Sequence, residues 1–134
     1  MFFFVQSCVV DKFDDRLKLI NNSGSKLFTY SGFSNSNDTL IECDNCFSQE
    51  KDWVELYGHD TLSIGLHGKL YDEYLMKNPN KIFRVFVFES DTIKKYGWEK
   101  AQKEYLILKR FDIDLEYIKN NNWIIKYPDS VNLE

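Results

Sequence analysis

The chain has 134 residues and a mass of 16.0 kDa, the size of one domain able to bury a real core. Hydrophobic residues make up 43% and aromatic residues 16%, which excludes disorder for the bulk of the chain and favours strands. The net charge of -4 and pI near 5.2 argue against a nucleic-acid binder, and the absence of any run of about 18 apolar residues excludes a membrane-spanning helix.

The first eight residues, "MFFFVQSC", permit two readings. One is an edge strand, which suits the aromatics and valines. The other is the end of a bacterial lipoprotein signal. Val5, Gln6, Ser7 and Cys8 stand as an aliphatic residue, a tolerant position, a small residue and the cysteine that takes the lipid. The apolar stretch is short and no Lys or Arg precedes it, so a signal would extend in front of Met1. The polar, acidic residues 9–15 resemble a tether, which favours the signal. The expected organisation is a signal remnant over 1–8, a tether over 9–15, a β-rich domain over 16–128 and a tail over 129–134.

Residues 16–31 read as a hairpin: Leu17 and Leu19 alternate with polar neighbours, "NNSGS" breaks the run, and Leu27, Phe28 and Tyr30 resume it. Residues 32–39 read as a loop, and Leu40 and Ile41 as the start of a short strand ending at "CDNC". "KDWVELYGH" is ambiguous between extended chain and one helical turn. "TLSIGLHG" alternates like a strand, and "LYDEYLMKN" fits a short helix ending before Pro79.

The last third is clearest. "KIFRVFVFES" reads as a central strand with Phe83, Val85 and Val87 on one face and Ile82, Phe86 and Phe88 on the other, interrupted there by Arg84. Asp91 is placed to cap a helix from Thr92, with Gly97 as its stop or kink. "EYLILKRF" reads as the next strand. Asp114 is placed as an N-cap, with Ile113 and Ile118 spaced as a hydrophobic staple. "NNN" ends that helix, and "WIIKYP" is a last strand stopped by Pro128. The expected fold class is α+β, mainly antiparallel β: a two-layer, β-sandwich-like domain with two or three short helices in its C-terminal half.

Cys43 and Cys46 are the most chemical-looking pair. That spacing serves half a zinc site, a redox pair or a small disulfide. His59 follows Cys46 at finger-like spacing, but His67 comes too late and the stretch between them reads as a strand. In an oxidising envelope a disulfide between Cys43 and Cys46 is the favoured reading, against two free thiols. His59 and Asp60 with Ser63 or Ser48 do not make a triad by proximity alone, and no nucleophile elbow or zincin motif is present. Asp72 with Glu73, and Asp112 with Asp114, fit helix starts better than acid–base pairs. Lys109 and Arg110 must point to opposite sides of their strand, and one is placed to pair with Asp112. Trp53, Tyr96, Trp98 and Trp123 either line a binding surface or cover the core.

Three segments carry a resemblance: "DTIKKYGW" (Asp91 to Trp98), "LKRFD" (Leu108 to Asp112) and "NWIIKYP" (Asn122 to Pro128), with "INNS" (Ile20 to Ser23) nearer the start. Together they are similar to a family of small lipoproteins from Gram-negative gut-type bacteria. The family has no established activity, so the resemblance implies location and fold alone. The expectation is therefore a non-catalytic binding or interaction module held at the bacterial cell envelope through a lipid on Cys8. It needs no cofactor, its partners are the membrane and an unknown protein, and nucleic acid is excluded. Two alternatives stand beside it: an immunity or inhibitor protein against a toxin, or a cytoplasmic zinc or thiol-redox protein using Cys43 and Cys46.

Overall fold

The computed structural model describes residues 12–37 and 54–128. Among these residues run β1 (Phe13–Asp14), β2 (Lys18–Asn21), β3 (Leu27–Asn35), β4 (Val54–Leu56), β5 (Thr61–Ser63), β6 (Leu66–His67), α1 (Tyr71–Lys77), β7 (Lys81–Glu89), α2 (Ser90–Tyr96), α3 (Trp98–Lys103), β8 (Lys109–Ile113), α4 (Leu115–Asn120) and β9 (Ile124–Tyr127). They form a four-stranded sheet β4-β3-β7-β8, a three-stranded sheet β5-β2-β9 and a two-stranded ribbon β1-β6. All pairings are antiparallel except β2 with β9. The chain is thus α+β with mainly β content.

β7 organises the packing because both its faces are apolar. Phe83, Val85 and Val87 enter the main core with Leu17, Leu19 and Ile125 of the smaller sheet's layer and with Leu75 and Ile118 of α1 and α4. Phe86 and Phe88 enter a second core with Tyr30, Ile93, Trp98 and Ala101, under α2 and α3. The two sheets therefore face each other across one core, and a helical pair covers the other side of the larger sheet. Phe86, Phe88, Val85 and Val87 are essentially inaccessible to solvent, each worth about 1.5–3 kcal/mol of burial.

Several expected elements stand as read. α1 ends before Pro79, and α4 starts at Asp114, whose carboxylate accepts from the Tyr117 amide at 2.8 Å. Ile113 and Ile118, the staple pair, are both buried in the main core. "VEL" in the ambiguous stretch is the edge strand β4.

Others differ. The expected hairpin over residues 16–31 does not form, because β2 and β3 lie in different sheets. The reason is Asn21, which is fully buried. Its Nδ2 donates to the carbonyls of Ser25 (2.8 Å), Tyr57 (3.1 Å) and Leu56 (3.3 Å), and its Oδ1 accepts from the amide and hydroxyl of Ser23 (2.9 and 2.6 Å). Its backbone receives from His59 and donates to Asp60. Side-chain satisfaction replaces strand pairing at the turn, and the chain crosses between layers.

The expected strand over "TLSIGLHG" splits into β5 and β6. Ile64 turns into the core while its amide bonds the Leu17 carbonyl at 2.8 Å. Gly65 lets the Phe13 ring lie on the backbone, 2.7 Å from where a Cβ would stand. The strand expected at "EYLILKRF" begins only at Lys109, since Leu106 and Ile107 fold over the second core and the Leu106 amide bonds the Ala101 carbonyl. α2 starts at Ser90 without a side-chain cap, so Asp91 lies in its first turn rather than before it. The folded unit also reaches back into the segment read as a tether: β1 pairs with β6, and Asp14 is buried. The strand expected at Leu40 and Ile41 lies outside the described residues.

Removing the Asn21 hub tests this account. Asn21→Ala should cost about 3 kcal/mol, because several buried backbone groups lose their partner at once. Asn21→Asp, of equal shape, should cost at least as much by turning an acceptor toward three carbonyls. Gly58→Ala should also destabilise, since a Cβ there would stand 3.0–3.1 Å from the Ser23 and Gly24 backbone. Urea midpoints read all three, and wild-type stability in Asn21→Ala would refute the hub.

Candidate functional site

The densest titratable cluster joins β1 to α1. Asp14 accepts from the Arg16 amide (3.1 Å), Nε (2.9 Å) and Nη2 (2.8 Å), and from the Tyr71 amide (2.9 Å). That last bond caps α1, whose own N-cap residue, Leu70, supplies none. The Arg16 Nη2 also reaches Asp72 at 2.9 Å, and its guanidinium lies 3.9 Å from the centre of the Trp123 ring. The Tyr71 hydroxyl donates to the Ile64 carbonyl at 2.7 Å. Burial alone would raise the Asp14 pKa, but the Arg16 guanidinium and the Tyr71 and Arg16 amides outweigh it and hold the carboxyl below its ordinary range. Burial, and then the Asp14 charge, push the Tyr71 hydroxyl upward. Every group here has a structural partner, and the cluster acts as a pin.

A second charged group interrupts the outer face of β7. Arg84 is buried, with Nε donating to the Ser34 hydroxyl at 2.8 Å and Nη2 to the Ser36 carbonyl at 3.1 Å. Its Nη1 lies 3.4 Å from Asp112 Oδ1, a charge contact rather than an aligned hydrogen bond. Arg110 Nη2 donates to Asp112 Oδ2 at 3.0 Å, the pairing expected from the sequence. Gly32 stands opposite Arg84 in the register.

The third feature is the surface of α2, α3 and the segment leading into β8. Gly97, at φ 81°, breaks the helix between Tyr96 and Trp98 and sends their side chains to opposite fates. Trp98 turns inward, edge-on to Phe88 (centroids 5.0 Å apart) and Phe28 (6.0 Å). Tyr96 stays out, with the ammonium groups of Lys95 and Lys100 5.1 and 5.0 Å from its ring centre. Tyr96, Tyr105 and Leu108 are 41, 42 and 43% exposed, among exposed Lys94, Lys95, Lys100 and Lys103. Exposed Asp91, Glu99 and Glu104 lie among these lysines, and Lys100 stands 4.0 Å from Glu104.

Of the residues expected to share an aromatic surface, the three described ones, Tyr96, Trp98 and Trp123, lie in different surroundings. Trp98 belongs to the second core, and Trp123 lies beyond the larger sheet, against Arg16 and Tyr71. Tyr96 is exposed, and Trp53 lies outside the described residues, as do Cys8, Cys43 and Cys46. His59 sits in the turn before β5, and the His67 ring packs 4.6 Å from that of Phe13 in the β1-β6 ribbon. The chain between the histidines runs through two different sheets. Among the described residues no three His, Cys, Asp or Glu side chains gather as a metal site, and no helix is long and apolar enough to cross a membrane. Tyr105, Leu108 and the lysines were missed as site residues. Their sequence signal is compositional: residues 94–110 hold six Lys and Arg against two Glu. No family model, curated protein or solved structure matches the chain.

Two measurements separate the pin from the surface. Asp14 has a depressed folded pKa, so its stabilisation is full above the ordinary value of 3.8 and is lost as pH falls through the folded one. Asp14→Asn should lower stability at neutral pH by about 2–4 kcal/mol and flatten the acid limb of a stability–pH curve. An unchanged acid limb would refute the pin. Trp98→Ala should cost about 3–5 kcal/mol, whereas Tyr96→Ala should stay within about 0.5 kcal/mol in thermal melts.

Proposed function

We propose that this domain is a non-catalytic interaction module, held at the bacterial cell envelope through a lipid on Cys8, that presents the α2–α3 face to a protein partner. The observation that carries the interaction reading is the exposure of Tyr96 between the ammonium groups of Lys95 and Lys100, with Tyr105 and Leu108 also exposed in the segment leading into β8. Aromatic side chains on a rigid base are the chemistry of protein recognition, since they offer large contact area at small entropic cost. Among the described residues, the Asp14 and Arg84 side chains are engaged in structural contacts. The box Val5-Gln6-Ser7-Cys8 and the likeness of the C-terminal third to small envelope lipoproteins support the anchor. A diacylated cysteine gives stable anchoring where one chain would be marginal.

The test is made in cells, on the gene with its upstream in-frame codons. Metabolic labelling with an alkyne fatty acid should mark the protein in the membrane fraction, and Cys8→Ser should abolish the label. An unlabelled soluble product retaining Met1 would sink the anchor. Separately, p-benzoylphenylalanine placed at position 96 or 105 should give a discrete protein crosslink that the same probe at Met76, exposed on α1, does not. Equal crosslinking from all three positions would sink the interaction face.

A further inference from the structure

α4 and β9 meet at a cleft of about 390 Å³, within the size range of small-molecule sites, lined by Tyr117, Asn120, Asn121, Asn122, Ile124 and Lys126. Two periods bring these residues together. Tyr117, Asn120 and Asn121 stand three and four residues apart at the end of α4, on one face. Ile124 and Lys126 stand two apart on β9, on the face opposite buried Ile125. The joint between the elements is left-handed twice over, with Asn122 at φ 53° and Trp123 at φ 65°. The Trp123 amide bonds the Ile118 carbonyl at 3.1 Å, a helix ending that asparagine tolerates, and the Ile124 amide bonds the Asn121 carbonyl at 3.0 Å. Tryptophan rarely takes that backbone. Here its ring lies against the Arg16 guanidinium and 6.3 Å from the Tyr71 ring, which holds the joint in place.

Much of the hydrogen-bonding capacity around this cleft is unspent. β9 is the last strand of its sheet. The Trp123 and Tyr127 carbonyls point to β2, where they accept from the amides of Lys18 (3.0 Å) and Asn22 (2.6 Å). Backbone groups alternate in direction along a strand, so the Ile124 carbonyl and the Lys126 amide and carbonyl point outward. Among the described residues nothing pairs with these three groups, nor with the side chains of Asn120, Asn122 and Lys126. Asn121 donates to the Tyr117 carbonyl at 2.9 Å through Nδ2 and keeps its Oδ1 open.

We propose that this cleft binds a neutral sugar. Three amides beside an open strand edge offer donors and acceptors together, and vicinal hydroxyls, each both donor and acceptor, match them. Ile124 adds apolar area for the C–H groups of a sugar ring. Other occupants fit worse. No carboxylate lines the cleft, so it lacks the ligands of a calcium or magnesium site. A phosphate would meet one ammonium, Lys126, beside the carbonyl end of a helix. An added strand would find four residues to pair with, on an edge guarded by Lys126 and stopped by Pro128. The cleft belongs to α4 and the smaller sheet, so this inference goes beyond the α2–α3 reading and does not rest on it.

The experiment titrates the isotope-labelled full chain with glucose, galactose, mannose, N-acetylglucosamine, cellobiose, lactose and chitobiose, read by amide NMR shifts. Inorganic phosphate and a blocked tetra-alanine peptide serve as competing probes. At least one sugar should saturably shift the backbone amides of residues 120–126 and the side-chain amides of Asn120, Asn121 and Asn122. Asn120→Ala should weaken that binding about fivefold, the loss of one hydrogen bond. Asn122→Gly, which keeps the left-handed turn, should do the same. Lys103→Gln, on α3, should change nothing. No saturable shift from any of these sugars at millimolar concentration overturns the inference. So does a shift centred elsewhere, or one that both variants retain. Phosphate or the peptide shifting these residues where no sugar does overturns it as well. Equal crosslinking from positions 76, 96 and 105 with sugar binding intact would fail the α2–α3 reading and leave this cleft standing.

Discussion

One buried amide decides how the two sheets are joined. Asn21 ends β2 inside the protein, where neither its own strand pairing nor water can satisfy it. Its side chain meets that demand by gripping the turn that follows and the carbonyls of Leu56 and Tyr57, 35 and 36 residues on. The β2–β3 turn and the β4–β5 turn are thereby locked against each other, and Gly58 is small enough to let their backbones touch. β2 also receives β9 as its parallel neighbour, and the Asn22 amide bonds the Tyr127 carbonyl at that same end. Three separated stretches of chain, residues 21–25, 56–60 and 124–127, converge on one residue. A buried polar group with its partners in place is specific in a way that an apolar contact is not, because any arrangement that leaves one of its donors or acceptors unpaired pays that group's desolvation.

The Asp14 pin works on the same logic at the other end of the small sheet. Its carboxylate supplies the cap that Leu70 cannot, so α1 depends on a residue far away in sequence. Arg16 shares its single positive charge among a bidentate bond to Asp14, a second carboxylate and an aromatic face. The guanidinium is 42% exposed while the Asp14 side chain is almost wholly buried, so solvent stabilises the cation and the protein stabilises the anion. That division avoids the full desolvation cost of a buried ion pair. The two clusters are mechanical: one ties β2 to the end of β4, the other ties β1 to α1.

What could be read from the sequence follows from which interactions are local. β7 was legible because nine residues carry an apolar pattern that needs cover on both faces. The start of α4 was legible because the cap, the staple and the stop lie within a few residues of each other. Arg110 and Asp112 could be paired because side chains two apart on a strand share a face. The hairpin was misread because its turn residues do satisfy turn chemistry, yet the partner that redirects the chain is the backbone at Leu56 and Tyr57. The break at Gly65 depends on Phe13 arriving from another strand. Trp98 and Tyr96 look equivalent in sequence, and a single glycine with positive φ between them separates core from surface. The cation excess over residues 94–110 was hidden for a different reason: the total charge of -4 averages over it.

That local excess has a physical consequence independent of any particular partner. Screening at physiological salt confines surface fields to about 8 Å, so an approaching molecule senses the patch and not the net charge. Beyond that range the net negative charge dominates. Near contact, the lysines attract and the exposed aromatics add the apolar area that charge alone lacks. Rim charges of this kind set encounter rate and orientation, while a few packed aromatics set how long a complex lasts. The structure keeps these roles on separate side chains. The lysines are exposed, with freedom to adjust. Tyr96 extends from a helix end that Trp98, Ile93 and Phe88 hold still. The buried tryptophan thus fixes the helix end from which the exposed tyrosine extends.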